Sequence, residues 1–249
     1  MNTITTLISA KKKFGGTTAF RDVQLTLHQG EMVALAGPNG GGKTTLLRCL
    51  IGLVNFDNVR GQTMLGSSFP INMATRQELL YLPDDDTLIE DLTAEEYFQF
   101  IASAYGVGID RVNAALDALE MLDFDLFHAN RLIKTYSHGM RKKVQLAGIV
   151  IPNVKLIIID EPTNGLDPTA IILARKFIAG LKSNQRSLII STHNLAFAEQ
   201  LASRVILIKN SILYDGPTKW LLRQQQASNL EEAYAKIVLS NSKHGSYDT

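Results

Sequence analysis

The chain has 249 residues, is 45% hydrophobic and carries 25 Lys and Arg against 24 Asp and Glu, for a formal net charge of +1. That balance argues against a partner recognised by a global positive field, so no nucleic acid is expected, and the length and composition fit one well-buried α/β domain with a small inserted lobe. No apolar run reaches the roughly 20 residues that a membrane-crossing helix needs, and the N-terminus lacks a signal-peptide core, so a cytoplasmic protein is expected.

Taken along the chain, the first strong signal is Met32-Val33-Ala34-Leu35-Ala36, an apolar run that reads as a buried strand. It leads into Gly37-Pro38-Asn39-Gly40-Gly41-Gly42-Lys43-Thr44-Thr45, which fits the pattern G-x-x-x-x-G-K-[ST] and is followed by an apolar helix with Leu46, Leu47, Leu50 and Ile51. Strand, glycine-rich loop and helix in that order point to a nucleoside triphosphate site. The glycines allow a tight turn that aims N–H groups at phosphate oxygens, and the positive helix N-terminus adds to the field. Lys43 would reach the β- and γ-phosphates, and the Thr44 hydroxyl would ligate Mg²⁺. Cys49, the single cysteine, cannot form an internal disulfide and reads as a small core residue in a reducing compartment.

Tyr81-Leu82-Pro83-Asp84 closes the first stretch of the core, and the acidic run Asp84-Asp85-Asp86 reads as a solvated loop in preference to a metal cluster. Residues 84–152 read as helical. They open with a capping box, Thr93-Ala94-Glu95-Glu96, before Tyr97, Phe98, Phe100 and Ile101, and Leu116, Leu119 and Leu122 continue an apolar face. Tyr136-Ser137-His138-Gly139-Met140 precedes a helix expected over residues 140–150 and stopped at Pro152.

Leu156-Ile157-Ile158-Ile159-Asp160-Glu161 is the pattern of a central parallel strand that ends on two acids at the ligand edge of an open sheet. Asp160 is placed to hold Mg²⁺ through water, and Glu161 to polarise an attacking water. The loop continues Pro162-Thr163-Asn164-Gly165-Leu166-Asp167-Pro168. Ser187-Leu188-Ile189-Ile190-Ser191-Thr192 reads as another buried strand delivering His193 to the same edge, where an imidazole would hydrogen-bond the γ-phosphate and orient the water. Taken alone, a histidine such as His193 is more often a helix-capping or surface residue. A hairpin is expected over residues 205–215, turning near Asn210-Ser211, then a C-terminal helix over about 218–239 and a flexible polar tail over 240–249.

Together these motifs, in this order, resemble the ATP-binding subunits of ABC transporters over about residues 4–220, with Tyr136–Met140 where that family carries its signature. The resemblance implies a P-loop NTPase fold: a RecA-like, mostly parallel α/β core (about 1–83 and 153–220), antiparallel edge strands and an inserted helical subdomain (about 84–152). It implies ATP and Mg²⁺ as cofactors, with Lys43, Glu161 and His193 catalytic. Residues 37–45, Ser137, Gly139 and Asp167 would form the nucleotide site, and Phe14, in Lys13-Phe14-Gly15-Gly16, would stack on the base. It also implies that Ser137 and Gly139 of one copy complete the site of a second, so that a homodimer, or a heterodimer with a similar ATPase, closes on ATP.

The signature keeps the serine and second glycine of the usual Leu-Ser-Gly-Gly-Gln but carries Tyr136, His138 and Met140. Asp84 stands where many relatives have a glutamine that touches Mg²⁺ and senses the membrane subunit. A separate permease is the implied partner, holding this subunit at the inner face of the cell membrane, with residues 88–100 near its docking groove; Tyr97, Phe98 and Phe100 suit either that groove or the core. The C-terminal Leu230-Glu231-Glu232-Ala233-Tyr234 and the altered signature look like those of exporter ATPases. Two other classes stay open: a soluble ABC ATPase acting on ribosomes or nucleic acid, and a weakly hydrolysing switch that dimerises on ATP.

Overall fold

The computed structural model describes residues 3–60, 63–64, 67–68, 73–85, 87–183 and 185–244. The chain divides into two compact units, one built from Thr3–Leu27, Met32–Phe69 and Ile189–Thr249, the other from His28–Glu31 and Pro70–Leu188.

The unit that contains Met32–Phe69 holds two sheets. In the first, the strand Thr3–Phe14 lies between Thr17–His28 and Thr63–Met64, and the latter pairs onward with Ser67–Ser68. Asn58–Arg60 also runs antiparallel to Thr3–Phe14, with Ser9 opposite Arg60 and Lys11 opposite Asn58. Val23, Leu25 and Leu27 are buried while Gln24 is exposed, the two-residue period of a strand with one covered face.

The second sheet of this unit runs in the order Ile212–Pro217, Arg204–Ile208, Met32–Ala36, Ser187–Thr192. Arg204–Ile208 lies parallel to Met32–Ala36, with Arg204 beside Val33 and Leu207 beside Ala36. Every residue of Met32–Ala36 is buried, as a parallel strand covered on both faces requires. The expected hairpin is present: Arg204–Ile208 and Ile212–Pro217 are antiparallel, and Asn210 makes the turn at φ 60°. The C-terminal segment departs from expectation. It forms two helices, Thr218–Gln224 and Leu230–His244, because Gln226 turns left-handed (φ 49°) and Asn229 and Ser228 start a new N-terminus. Asn229 Oδ1 accepts from Glu232 N at 2.9 Å, while the Glu232 carboxylate accepts from Ser228 N at 2.8 Å. The second helix runs past the expected boundary; residues 245–249 of the expected tail lie outside the described residues.

In the other unit, Leu79–Leu82 and Leu156–Asp160 are parallel, with Leu79 beside Leu156 and Leu82 beside Ile159. The start of Ser187–Thr192 continues this pairing, Ser187 N donating to Lys155 O at 2.9 Å. Among the described residues, the helices Ala94–Ala104, Ile109–Met121, His138–Gly148 and Pro168–Gly180 accompany these strands, together with the short Met73–Gln77. Ala94–Ala104 begins with the expected capping box: Thr93 Oγ1 accepts from Glu96 N at 3.2 Å and Glu96 accepts from Thr93 N at 2.8 Å. Phe98, Val112, Leu119, Leu122 and Val144 are buried where the first three helices pack, each worth about 1.5–3 kcal/mol relative to exposure. The aromatic group splits: Phe98 is core, whereas Phe100 is 54% exposed.

The helix after the signature starts at His138, earlier than residue 140, because Ser137 serves as its cap. Asp86, part of the expected acidic loop, lies outside the described residues.

Candidate functional site

The phosphate loop is shaped by its own unit. Gly40 (φ 75°) and Gly42 (φ 95°) occupy the left-handed region, and a Cβ on Gly42 would lie 2.5 Å from the carbonyl oxygen of Ala19. At Gly37 a Cβ would collide with the carbonyl oxygen of Ile208. Gly37 N donates to Thr192 O at 3.2 Å, which ties the loop to the end of the neighbouring strand.

Lys43 is buried, and its ammonium donates to the carbonyls of Gly37 at 2.9 Å and Pro38 at 3.1 Å, so its charge stands inside the loop. Thr44 and Thr45 follow at the first turn of Lys43–Leu50, which carries no acidic residue. A helix N-terminus without nearby acids is a favourable place for an anion. Cys49, further along the same helix, is buried, and burial pushes its thiol up to about 12.

Two supports of this loop escaped sequence reasoning. Asn210 N donates to Gly41 O at 2.9 Å, and its Nδ2 donates to Thr18 O and Ala19 O at 3.1 and 3.0 Å. The hairpin turn thus braces both the loop and the strand behind Gly42. The only available signal was an asparagine in a turn, a residue that tolerates positive φ.

His193 is exposed and sits in a tight turn in which Thr192 Oγ1 accepts from Asn194 N at 3.0 Å; Asn194 then caps the helix Leu195–Leu201. The imidazole is therefore held at the end of the strand whose Thr192 carbonyl receives Gly37. Phe14 is 53% exposed with the Lys12 ammonium 5.1 Å from its ring centroid, and Lys12 pairs with Asp57 at 2.8 Å. Lys12 beside Asp57 holds that carboxyl below the usual range. The exposed ring suits stacking on a planar base.

The other unit gathers the remaining residues. Leu156–Asp160 is wholly buried, and Asp160 Oδ2 accepts from the Tyr81 hydroxyl at 3.2 Å. Glu161 is 5% exposed and takes φ 47°, a conformation that costs a non-glycine residue on the order of 1–3 kcal/mol and that gathers at functional sites. Asp84 accepts from Asn164 Nδ2 at 2.8 Å. Asp167 caps Pro168–Gly180, accepting from Ala170 N at 2.9 Å, with Pro168 at the first helical turn.

Ser137 Oγ accepts from Met140 N at 3.3 Å at the head of His138–Gly148, whose first turn also lacks acids. A Cβ on Gly139 would lie 3.2 Å from Gly165 O, a tight contact, and Gly165 (φ 75°) faces the His138 ring so closely that any Cβ would overlap it. Tyr136 is buried, with its hydroxyl donating to His128 O at 2.9 Å and Arg131 O at 3.1 Å and its ring against Phe124. Burial raises the Tyr136 phenol above its usual range. The unusual first residue of the signature is thus an anchor for the segment before it.

The hydroxyl of Thr44 and the carboxylates of Asp160 and Asp84 are hard oxygen donors, the chemistry that Mg²⁺ takes. Among the described residues, no group of three or more His, Cys, Asp or Glu is arranged to hold a metal by itself, and no helix is long and apolar enough to cross a membrane.

Comparison with known proteins places this geometry. A family model described as ABC transporter matches residues 20–164. The SkfA peptide export ATP-binding protein SkfE of Bacillus subtilis is 35% identical over 195 residues, 77% of this chain and 79% of that one. A structure described as the ATP binding subunit of an ABC transporter superposes with a TM-score of 0.83 at 27% identity, over 94% of this chain and 99% of that one. An ATP-binding cassette solved as a dimer in a post-hydrolysis state with ADP and Pi gives 0.73 at 22% identity, over 86% and 98%, a likeness of fold.

Proposed function

The chain belongs to the ABC transporter family as an ATP-binding, ATP-hydrolysing subunit, and from that premise we propose that it drives a separate membrane permease, in the export direction, through closure of an ATP-bound dimer and its opening on hydrolysis. The observation that carries this reading is the presence of two helix N-termini with no acid in the first turn, at Lys43 and at His138. One is the phosphate loop. The other, with Ser137 and Gly139, is a second anion-binding end for the γ-phosphate of a nucleotide held by a partner copy.

In this account residues 37–45 wrap the phosphates with backbone N–H groups, and Lys43 moves its ammonium from the loop carbonyls to the β- and γ-phosphates. Phe14 stacks on the base, and Asp167 belongs to the nucleotide site. Thr44 and, through water, Asp160 would hold Mg²⁺, with Asp84 a further oxygen donor to its water shell. The chemistry that Mg²⁺ supplies when bound is neutralisation of charge on the β- and γ-phosphate oxygens.

Glu161 polarises the attacking water, and its strained backbone fixes where the carboxylate points. His193 donates to the γ-phosphate and orients that water. Loss of the γ-phosphate removes the contacts that favour the closed pair, so ADP shifts the population toward open. Residues 84–152 form the helical subdomain within a core of 1–83 and 153–220, and exposed Ile89 and Phe100, within residues 88–100, face the permease while Phe98 stays in the core. Export is supported by the likeness to SkfE, a peptide export ATP-binding protein.

The test is the molar mass of Glu161→Gln protein by light scattering with Mg²⁺ and ATP. A dimer that reverts to monomer with ADP is expected; monomer alone under ATP overturns the proposed cycle.

A further inference from the structure

Lys142 is a buried cation that the phosphate chemistry does not use. It lies on His138–Gly148, its side chain 1% exposed. Its ammonium donates to Asp84 O at 3.0 Å and stands 3.9 Å from Asp84 Oδ1. The Asp84 carboxylate also accepts from Asn164 Nδ2 at 2.8 Å, and Gln145, on the same helix, donates to Asp85 O at 3.0 Å.

Two costs meet here. An ammonium taken out of water is penalised by several kcal/mol unless anions and carbonyls surround it. An aspartate carried toward a triphosphate is repelled by it, where a neutral side chain would not be. Placing the two side by side reduces both. The carboxylate supplies one counter-charge, and the ammonium makes Asp84 part of a neutral pair.

We infer that Lys142 is the charge partner that allows an aspartate to serve at position 84, a positioning residue that acts on the nucleotide site through Asp84. The inference rests on the proposed placement of Asp84 at the metal's water shell. It also makes the signature helix, the loop at Asp84 and the loop at Asn164 one polar unit, so that displacement of the Asp84 loop is felt at Lys142 and Gln145.

The experiment is a double-mutant cycle with Asp84→Asn, Lys142→Met and the two combined, read by thermal midpoint and by Mg·ATP titration; Lys142→Gln repeats it with a polar isostere. Asp84→Asn is expected to lower the midpoint by several degrees, by leaving a buried ammonium short of its counter-charge, and the combined variant to regain most of that loss. Lys142→Met alone is expected to weaken Mg·ATP binding about three- to tenfold, by leaving Asp84 an unneutralised anion, with the combined variant restoring it. Equal effects of Asp84→Asn with and without Lys142 overturn the inference. Coupled midpoints with unchanged affinity in Lys142→Met keep the pair and overturn instead the placement of Asp84 beside the triphosphate.

Discussion

The Tyr81 hydroxyl donates to Asp160 Oδ2 at 3.2 Å, across two parallel strands in which Tyr81 lies beside Ile158. Asp160 is fully buried, so this bond both offsets part of the desolvation of the carboxylate and sets its rotamer before a metal arrives. It also links the strand leading to Asp84 with the strand that ends at Asp160, just before Glu161.

Tyr81→Phe removes the donor and keeps the ring. The expected result is about a three- to tenfold rise in the Mg²⁺ concentration for half-maximal activity, with ATP affinity at saturating Mg²⁺ little changed. Titration of Mn²⁺ by electron paramagnetic resonance in the presence of a non-hydrolysable ATP analogue checks the same shift without turnover. An unchanged metal affinity would remove Tyr81 from any positioning role.

The backbone of Glu161 separates strain from chemistry. Glycine at this position accepts φ 47° without the steric cost, against about 0.5–1 kcal/mol of extra chain entropy. Glu161→Gly is therefore expected to be more stable in urea unfolding than Glu161→Ala, which loses the same carboxylate but keeps the strain, while hydrolysis in both falls by roughly 10² to 10⁴. A glycine variant no more stable than the alanine variant would show that the φ 47° backbone stores no strain.

How much of this was legible in the sequence depends on range. The phosphate loop, the Asp160–Glu161 strand and the Thr93 capping box are local patterns whose chemistry is written in consecutive residues. Asn210 and Ile208 brace the phosphate loop from a hairpin over 160 residues away in the chain, with Asn210 bonding Ala19 O and Gly41 O. No local pattern reports such contacts. Lys142 was equally silent, because a lysine on a helix reads as solvated until its neighbours in space are known. The C-terminal helix was misjudged for a local reason: Gln226 and the Ser228–Glu232 bonds break it, and neither glutamine nor serine is a strong breaker by composition.

Cys49 gives a pH-dependent prediction. Burial raises its thiol from the ordinary 9.0 to about 12, so the folded state keeps the proton where the unfolded chain releases it. The stabilisation is intact below pH 9 and is lost as pH rises from there toward 12. Native protein is accordingly expected to resist thiolate-directed alkylation at pH 8, with labelling appearing only on unfolding in denaturant. Rapid labelling of folded protein would contradict the burial of this thiol.

The claim on which the account turns is that Lys43 of one copy and Ser137 of another act on the same nucleotide. It is tested most directly by mixing Lys43→Ala protein with Ser137→Glu protein and measuring ATP hydrolysis against each variant alone. Composite sites predict activity in the mixture that neither parent shows, because the mixed dimer regains one site with both groups intact. A mixture no more active than its parents, under conditions where wild type hydrolyses ATP and the two variants exchange subunits, would contradict it.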